Sequence, residues 1–92
     1  MFPHGPSVVG KVGVCSGAAS ALLEAAAAAG CDLFLTGELA ERAGDLAKEL
    51  QITLVAAGHY MTEVFGPQRL ADELRHQFPG LDVAFVAAPS PL

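Results

Sequence analysis

Two rhythms of apolar residues alternate along this chain. Short runs rich in β-branched and aliphatic residues lie at 8–14, 31–36, 52–56 and 81–86, the second bounded by Gly30 and Gly37 and the last preceded by Pro79-Gly80, a pattern consistent with buried strands. Between them the apolar positions recur at helical spacing. Ala21 to Ala29 is a run of strong helix formers that ends at Gly30, with Ser16 or Ser20 as its cap. Leu39, Ala43, Leu46, Ala47 and Leu50 form one stripe, with Thr36 as a cap and Glu38 near the positive end of that helix dipole. A third helix follows Gly58, is kinked or split at Gly66-Pro67, and continues with a stripe of Leu70, Leu74 and Phe78 to Pro79-Gly80.

Strands that are apolar throughout, rather than alternating, belong in a sheet covered by helices. The order βαβαβαβ therefore predicts an α/β fold with a mostly parallel four-stranded sheet. Residues 1–7, with Pro3, Gly5 and Pro6, read as an irregular N-terminal arm or linker, and residues 8–92 as a single α/β domain.

Composition sharpens this picture. Hydrophobic residues make up 52% of the 92 and charged residues only 16%, against about 25% in an average globular domain. Such an excess of apolar surface calls for a cover, either a partner subunit in a homo-oligomer or a further lobe. The net charge is −5, and the basic residues Lys11, Arg42, Lys48, Arg69 and Arg75 are scattered, which argues against nucleic acid and anionic membranes as partners. Cys15 and Cys31 lack C-x-x-C spacing, no signal-peptide pattern opens the sequence, and the Ala-rich tract at 25–29 is too short to span a bilayer. A cytoplasmic protein is expected.

In an open α/β sheet, ligands bind where strands end and helices begin, which directs attention to Ser16, Thr36 and Gly58. Placed on a helix beginning near Gly58, His59 and Glu63 stand four residues apart and share a face. An imidazole and a carboxylate together suit zinc, iron or manganese. The same spacing also makes an ordinary helix-surface contact worth roughly 0.2–0.5 kcal/mol. Glu38, at the end of the preceding strand, is a candidate to orient His59. The loop Ser16-Gly17, between a strand and a helix, is a candidate anion cradle, although it is neither G-x-G-x-x-G nor Walker A. No catalytic residue is assigned.

The wording around these positions carries a resemblance. Gly58-His59-Tyr60-Met61-Thr62-Glu63 resembles the GHYxTE motif of the Nif-three-like family, whose members are known as GTP cyclohydrolase type 2 homologues. Val14 to Ser20 resembles that family's glycine-rich loop, Asp32-Leu33-Phe34-Leu35-Thr36-Gly37-Glu38 its TGE/D segment, and 81–86 with Pro89-Ser90-Pro91 its closing strand and P-x-P tail. The resemblance covers residues 11 to 92 and implies the C-terminal lobe alone, since the family's two-metal site also draws on a His-His pair and an Asp from an N-terminal lobe, and no His-His pair occurs here. It implies divalent metal ions, two in the complete site, with His59 as terminal ligand and Glu63 as bridging carboxylate of a metal-dependent hydrolase. Two alternatives stand beside it: an inactive oligomerisation or interaction module with an incomplete metal site, and a domain that binds a phosphate ligand at the Ser16 loop.

Overall fold

Three parallel strands form the middle of the structure: β2 (Val12–Cys15), β3 (Leu33–Thr36) and β4 (Thr53–Ala56). The computed structural model describes residues 1–90, so Pro91 of the P-x-P tail and Leu92 lie outside the described residues. The parallel strands run in register from Val12–Leu33–Thr53 to Cys15–Thr36–Ala56.

The fourth strand is not the one expected. β1 (Phe2–Pro3) pairs antiparallel with β4, Phe2 opposite Leu54 and Pro3 opposite Thr53, so the sheet is mixed, in the order β1-β4-β3-β2. The arm at 1–7 is held rather than loose. A β-carbon on Gly44 would stand 2.7 Å from the Phe2 ring, and the Gly5 N–H donates to Thr53 Oγ1 at 3.1 Å. Pro3 suits an edge, where its missing N–H breaks no interior ladder.

Residues 81–86, read as a closing strand, have no strand partner among the described residues. Their segment lies beside the last helices, with Arg75 Nε donating to Val83 O at 3.0 Å and the Ala88 N–H donating to the Tyr60 hydroxyl at 3.0 Å. β-propensity describes fit to a pleated neighbour, and here no neighbouring strand is present to fit.

The helices follow the periodicity but start late. A 3-10 turn over Ser20–Leu22 leads into α1 (Leu23–Ala28), closed by Gly30 at φ +80°. α2 spans Ala43–Glu49. Neither has a side-chain cap. Ser20 Oγ instead accepts the Ala40 N–H at 3.1 Å, and Thr36 is wholly buried within β3, too far ahead of α2 to cap it. Glu38 likewise precedes the helix and does not complement its dipole. α3 (His59–Glu63) and α4 (Phe65–Gln77) are separated by a bend at Val64, and Pro67 falls in the first turn of α4, where a missing N–H costs little.

Leu23, Phe34, Ala43, Ala47, Ile52 and Leu54 form the core between one sheet face and helices α1 and α2. Burying each large member contributes about 1.5–3 kcal/mol. Both cysteines are free and pack half-buried against this cluster. The stripe expected on α4 is largely uncovered, with Leu70 60% and Phe78 57% exposed, whereas Ala71 is buried.

Gln51 closes α2 with a positive φ of 52°, its N–H donating to Lys48 O at 3.2 Å and that of Ile52 to Ala47 O at 3.1 Å. A β-carbon in this region costs roughly 1–2 kcal/mol, partly offset by the extra freedom glycine has when unfolded. Gln51→Gly is therefore expected to raise stability by about 0.5–1 kcal/mol in urea denaturation. An unchanged or lower midpoint would show that Gln51 is not strained.

Candidate metal-binding site

The loops that follow β2, β3 and β4 are tied together by their own backbones. Gly17 O accepts the N–H groups of Gly37 and Glu38, both at 2.9 Å; Gly37 O accepts the Gly58 N–H at 2.9 Å; and Thr36 O accepts the Ala57 N–H at 2.8 Å. Two threonines lock the arrangement. The Thr36 hydroxyl donates to Gly17 O and accepts the Ala19 N–H, each at 3.1 Å. The Thr62 hydroxyl accepts the Gly17 N–H at 3.1 Å and donates to Gly58 O at 2.8 Å, with His59 O at 3.1 Å as a second acceptor. Gly37 sits where the loops meet, since a β-carbon there would lie 2.7 Å from Gly17 O and 2.8 Å from Gly58 O.

This clamp sets the first turn of α3 against the other two loops. His59 Nδ1 lies 2.7 Å from Glu38 Oε2, and His59 Nε2 lies 3.2 Å from Glu63 Oε2. All three side chains are about half exposed. His59, Glu63 and Glu38 are thus brought together with Gly17, whose added β-carbon would stand 2.5 Å from Glu63 Oε1.

Charge balance decides what this cluster can hold. A neutral imidazole carries one N–H and cannot donate to two carboxylates at once. Either the ring is protonated, or a cation takes the place of a proton between Nε2 and Glu63. The Glu38 carboxylate at Nδ1 raises the His59 pKa above its ordinary value of 6.5; desolvation opposes this, and the charge of Glu63 adds to it.

The donor chemistry fits a metal, but the number of donors fits only part of a site. Two ligands held on a tetrahedral ion at about 2.0–2.1 Å lie about 3.3 Å apart, close to the Nε2 to Oε2 distance. A carboxylate on the other ring nitrogen is the usual support of a ligating histidine. Among the described residues, however, no group of three or more His, Cys, Asp or Glu side chains is placed to hold a metal ion. Catalytic zinc takes three protein ligands and structural zinc four.

Ser16 is exposed at the end of β2 and Gly17 is buried behind it. The Gly17 and Ala19 N–H groups already bond the two threonine hydroxyls, and the Glu63 carboxylate faces Gly17. A phosphate there would meet a negative charge and spent donors. On the other side of Glu63, an open apolar cleft of about 520 Å³ lies between Tyr60, Val64, Pro67 and the segment at Phe85-Val86.

The threonines were not legible as functional positions. Thr36 reads as a strand end or cap, and nothing in its neighbourhood signals a buried hydroxyl with two loop partners. Thr62 had one available signal: it stands four residues after Gly58, the spacing that lets a helical threonine bond back to a carbonyl.

Residues 1–91 match the family described as DUF34/NIF3, NGG1p interacting factor 3. The chain is 35% identical over 88 residues to a "GTP cyclohydrolase 1 type 2 homolog" of Haemophilus influenzae, covering 96% of this chain and 35% of that protein. It is 38% identical over 87 residues to the protein of the same name in Escherichia coli strain K12, covering 95% of this chain and 35% of that one. Among solved structures, the ybgI protein superposes with a TM-score of 0.91 at 36% identity, covering all of this chain and 37% of that one. TTHA1606 from Thermus thermophilus gives 0.76 at 32% identity, covering 92% and 37%. The chain therefore spans about a third of the length of the relatives it matches.

Two outcomes test this geometry. Gly37→Ala forces a β-carbon onto two backbone carbonyls that have nowhere to move, and is expected to cost about 2–4 kcal/mol in chemical denaturation. A loss below 1 kcal/mol (on the order of a surface change) would refute the clamp. For His59, NMR titration should give a pKa above 6.5 that falls in Glu38→Gln. Because the folded value is raised, the stabilisation from this pairing is complete below 6.5 and disappears as pH rises through the folded pKa. A pKa that ignores the Glu38 substitution would rule out their bond in solution.

Proposed function

The chain belongs to the DUF34/NIF3 family, and on that premise we propose that it supplies half of a metal centre, with His59 Nε2 and Glu63 as ligands and Glu38 as the residue that orients the histidine. The observation that carries this is the two-sided engagement of the imidazole. With Nδ1 bonded to Glu38 at 2.7 Å, the neutral ring is the tautomer whose Nε2 lone pair faces Glu63.

Divalent zinc, iron or manganese would suit such a pair, with Glu63 Oε2 beside Nε2 and Oε1 packed toward Gly17. A divalent ion held by His59 and Glu63 would supply Lewis acidity and an activated water for hydrolysis. The residues of this chain do the rest. Glu38 holds the proton on Nδ1, Thr62 and Gly17 keep Glu63 in reach, and the cleft beside Glu63 offers an apolar seat for part of a substrate. The missing ligands come from another lobe or subunit. In that completed protein the activity is that of a metal-dependent hydrolase, and the relatives' name, GTP cyclohydrolase 1 type 2 homolog, supports the hydrolase part of this reading.

The count of two donors favours a second reading, in which the chain is an assembly module that binds no metal by itself. Elemental analysis of dialysed protein separates the two. A reproducible metal content, lost in His59→Ala and rising with pH as protons leave Nε2, is the expected result. No metal above background in either protein, at any pH above the His59 pKa, would show that these two donors hold no ion by themselves, and would leave the assembly module or half of a site completed elsewhere.

A further inference from the structure

We propose that the cleft between α4 and the tail residues Ala84-Phe85-Val86 is the binding site for a flat, uncharged aromatic amide, with the amide seated at the Glu63 end and the ring between Tyr60 and Phe85. This deepens the hydrolase reading and rests on it only for what becomes of the ligand; binding itself involves no metal.

The tail has the composition of a strand and no strand partner among the described residues, yet it is fixed in place. Arg75 Nε donates to Val83 O, and the Tyr60 hydroxyl accepts the Ala88 N–H, each at 3.0 Å. Those two bonds bracket the three tail residues that line the cleft. Arg75 is held in turn by Asp72, 2.8 Å from its Nη1. The opposite wall is helical, with Val64, Pro67 and Ala71 at i, i+3 and i+7 along α4 and its cap. Val64 and Ala71 are only 8% and 6% exposed although neither belongs to the core cluster, and together they form the floor. A segment that pairs with no sheet thus serves as the second wall of a cleft that ends on Glu63.

Size and chemistry select the ligand. A volume of about 520 Å³ falls within the ~300–1,000 Å³ of small-molecule sites, which are mostly apolar with a few polar groups that fix orientation. Here those groups are the Glu63 carboxylate and the Tyr60 hydroxyl. A carboxylate only accepts, whereas a phenol that has accepted the Ala88 N–H keeps its own proton to donate. An amide answers both, giving its N–H to Glu63 and its carbonyl oxygen to Tyr60. The rings of Tyr60 and Phe85 suit a flat aromatic body. No Lys or Arg lines the cleft, and the arginines of α4 are engaged elsewhere, Arg69 with Glu73 and Arg75 with Asp72. A carboxylate or phosphate ligand would therefore meet Glu63 with no cationic side chain in the lining to offset it.

A heteronuclear NMR titration of the 92-residue chain in EDTA tests this, with cinnamamide as the probe and its isosteric anion, cinnamate, as the control. Cinnamamide is expected to shift the backbone amide signals of Tyr60, Val64, Ala71 and Phe85 along one saturable curve in the millimolar range, as suits so small a ligand. Cinnamate should bind about tenfold more weakly. Glu63→Gln should close that gap, because the new side chain is uncharged. Phe85→Ser and Arg75→Ala should each weaken cinnamamide binding about fivefold, the second although Arg75 lies outside the cleft. Neither residue belongs to the core cluster, so the melting temperature should hold in both variants. Shifts that do not saturate or that gather elsewhere overturn the proposal, as does cinnamate binding as tightly as the amide, or binding indifferent to both Phe85→Ser and Arg75→Ala. It is overturned equally if the cleft signals move with protein concentration and not with cinnamamide, which would mark a contact between copies of the chain. Loss of metal binding leaves these curves untouched, and a failed titration leaves the metal content untouched, so the two readings fail separately.

Discussion

One carbonyl oxygen, that of Gly17, holds together the loops at the carboxyl ends of the parallel strands. It accepts two backbone N–H groups from the loop after β3 and the hydroxyl proton of Thr36, while its own residue's N–H is held by Thr62 from α3. Parallel strands ending side by side leave their following loops with unsatisfied polar groups, and burying them unpaired would cost about 1–3 kcal/mol each. The three loops satisfy one another instead. Close approach of the neighbouring carbonyls requires glycine at 37, whereas a positive φ, 71° and 93°, favours it at 17 and 58. Among the described residues, no buried side-chain polar atom is left without a partner.

From that constraint the site follows. The clamp brings a carboxylate from the loop after β3 to one nitrogen of His59 and a carboxylate from the next helical turn to the other. Two carboxylates about one imidazole form an electron-rich cluster that needs a positive charge, from a proton or a metal. The raised His59 pKa is one expression of their field.

Much of this was legible from residue order. Periodicity placed β3, β4 and the buried stripe of α2, because Phe34, Leu54, Ala43 and Ala47 pack into one cluster and their pattern is local. The spacing of His59 and Glu63 placed both on one helical face, and the position of Glu38 at a strand end placed it within reach. What failed was whatever depends on a neighbour. Leu81 to Val86 has strand composition but no adjacent strand among the described residues, and Leu70 and Phe78 form a helical stripe that stays largely exposed. The pairing of Phe2 and Pro3 with β4 was hidden because two residues carry no periodicity. Their placement is decided by the bare backbone at Gly44, which only the folded structure reveals. No helix among the described residues is long and apolar enough to cross a membrane, in keeping with the shortness of the Ala-rich tract.

The shortness of α3 has a structural consequence. Five residues are far fewer than the ~12–15 that a helix needs to persist alone, so nothing local holds His59 above Glu63 in the unfolded chain. Their alignment arises only when Gly17 and Thr62, 45 positions apart, have met. The alignment of these two side chains therefore rests on a long-range contact and not on local helix propensity. A local opening that parts Gly17 from Thr62 would release that alignment.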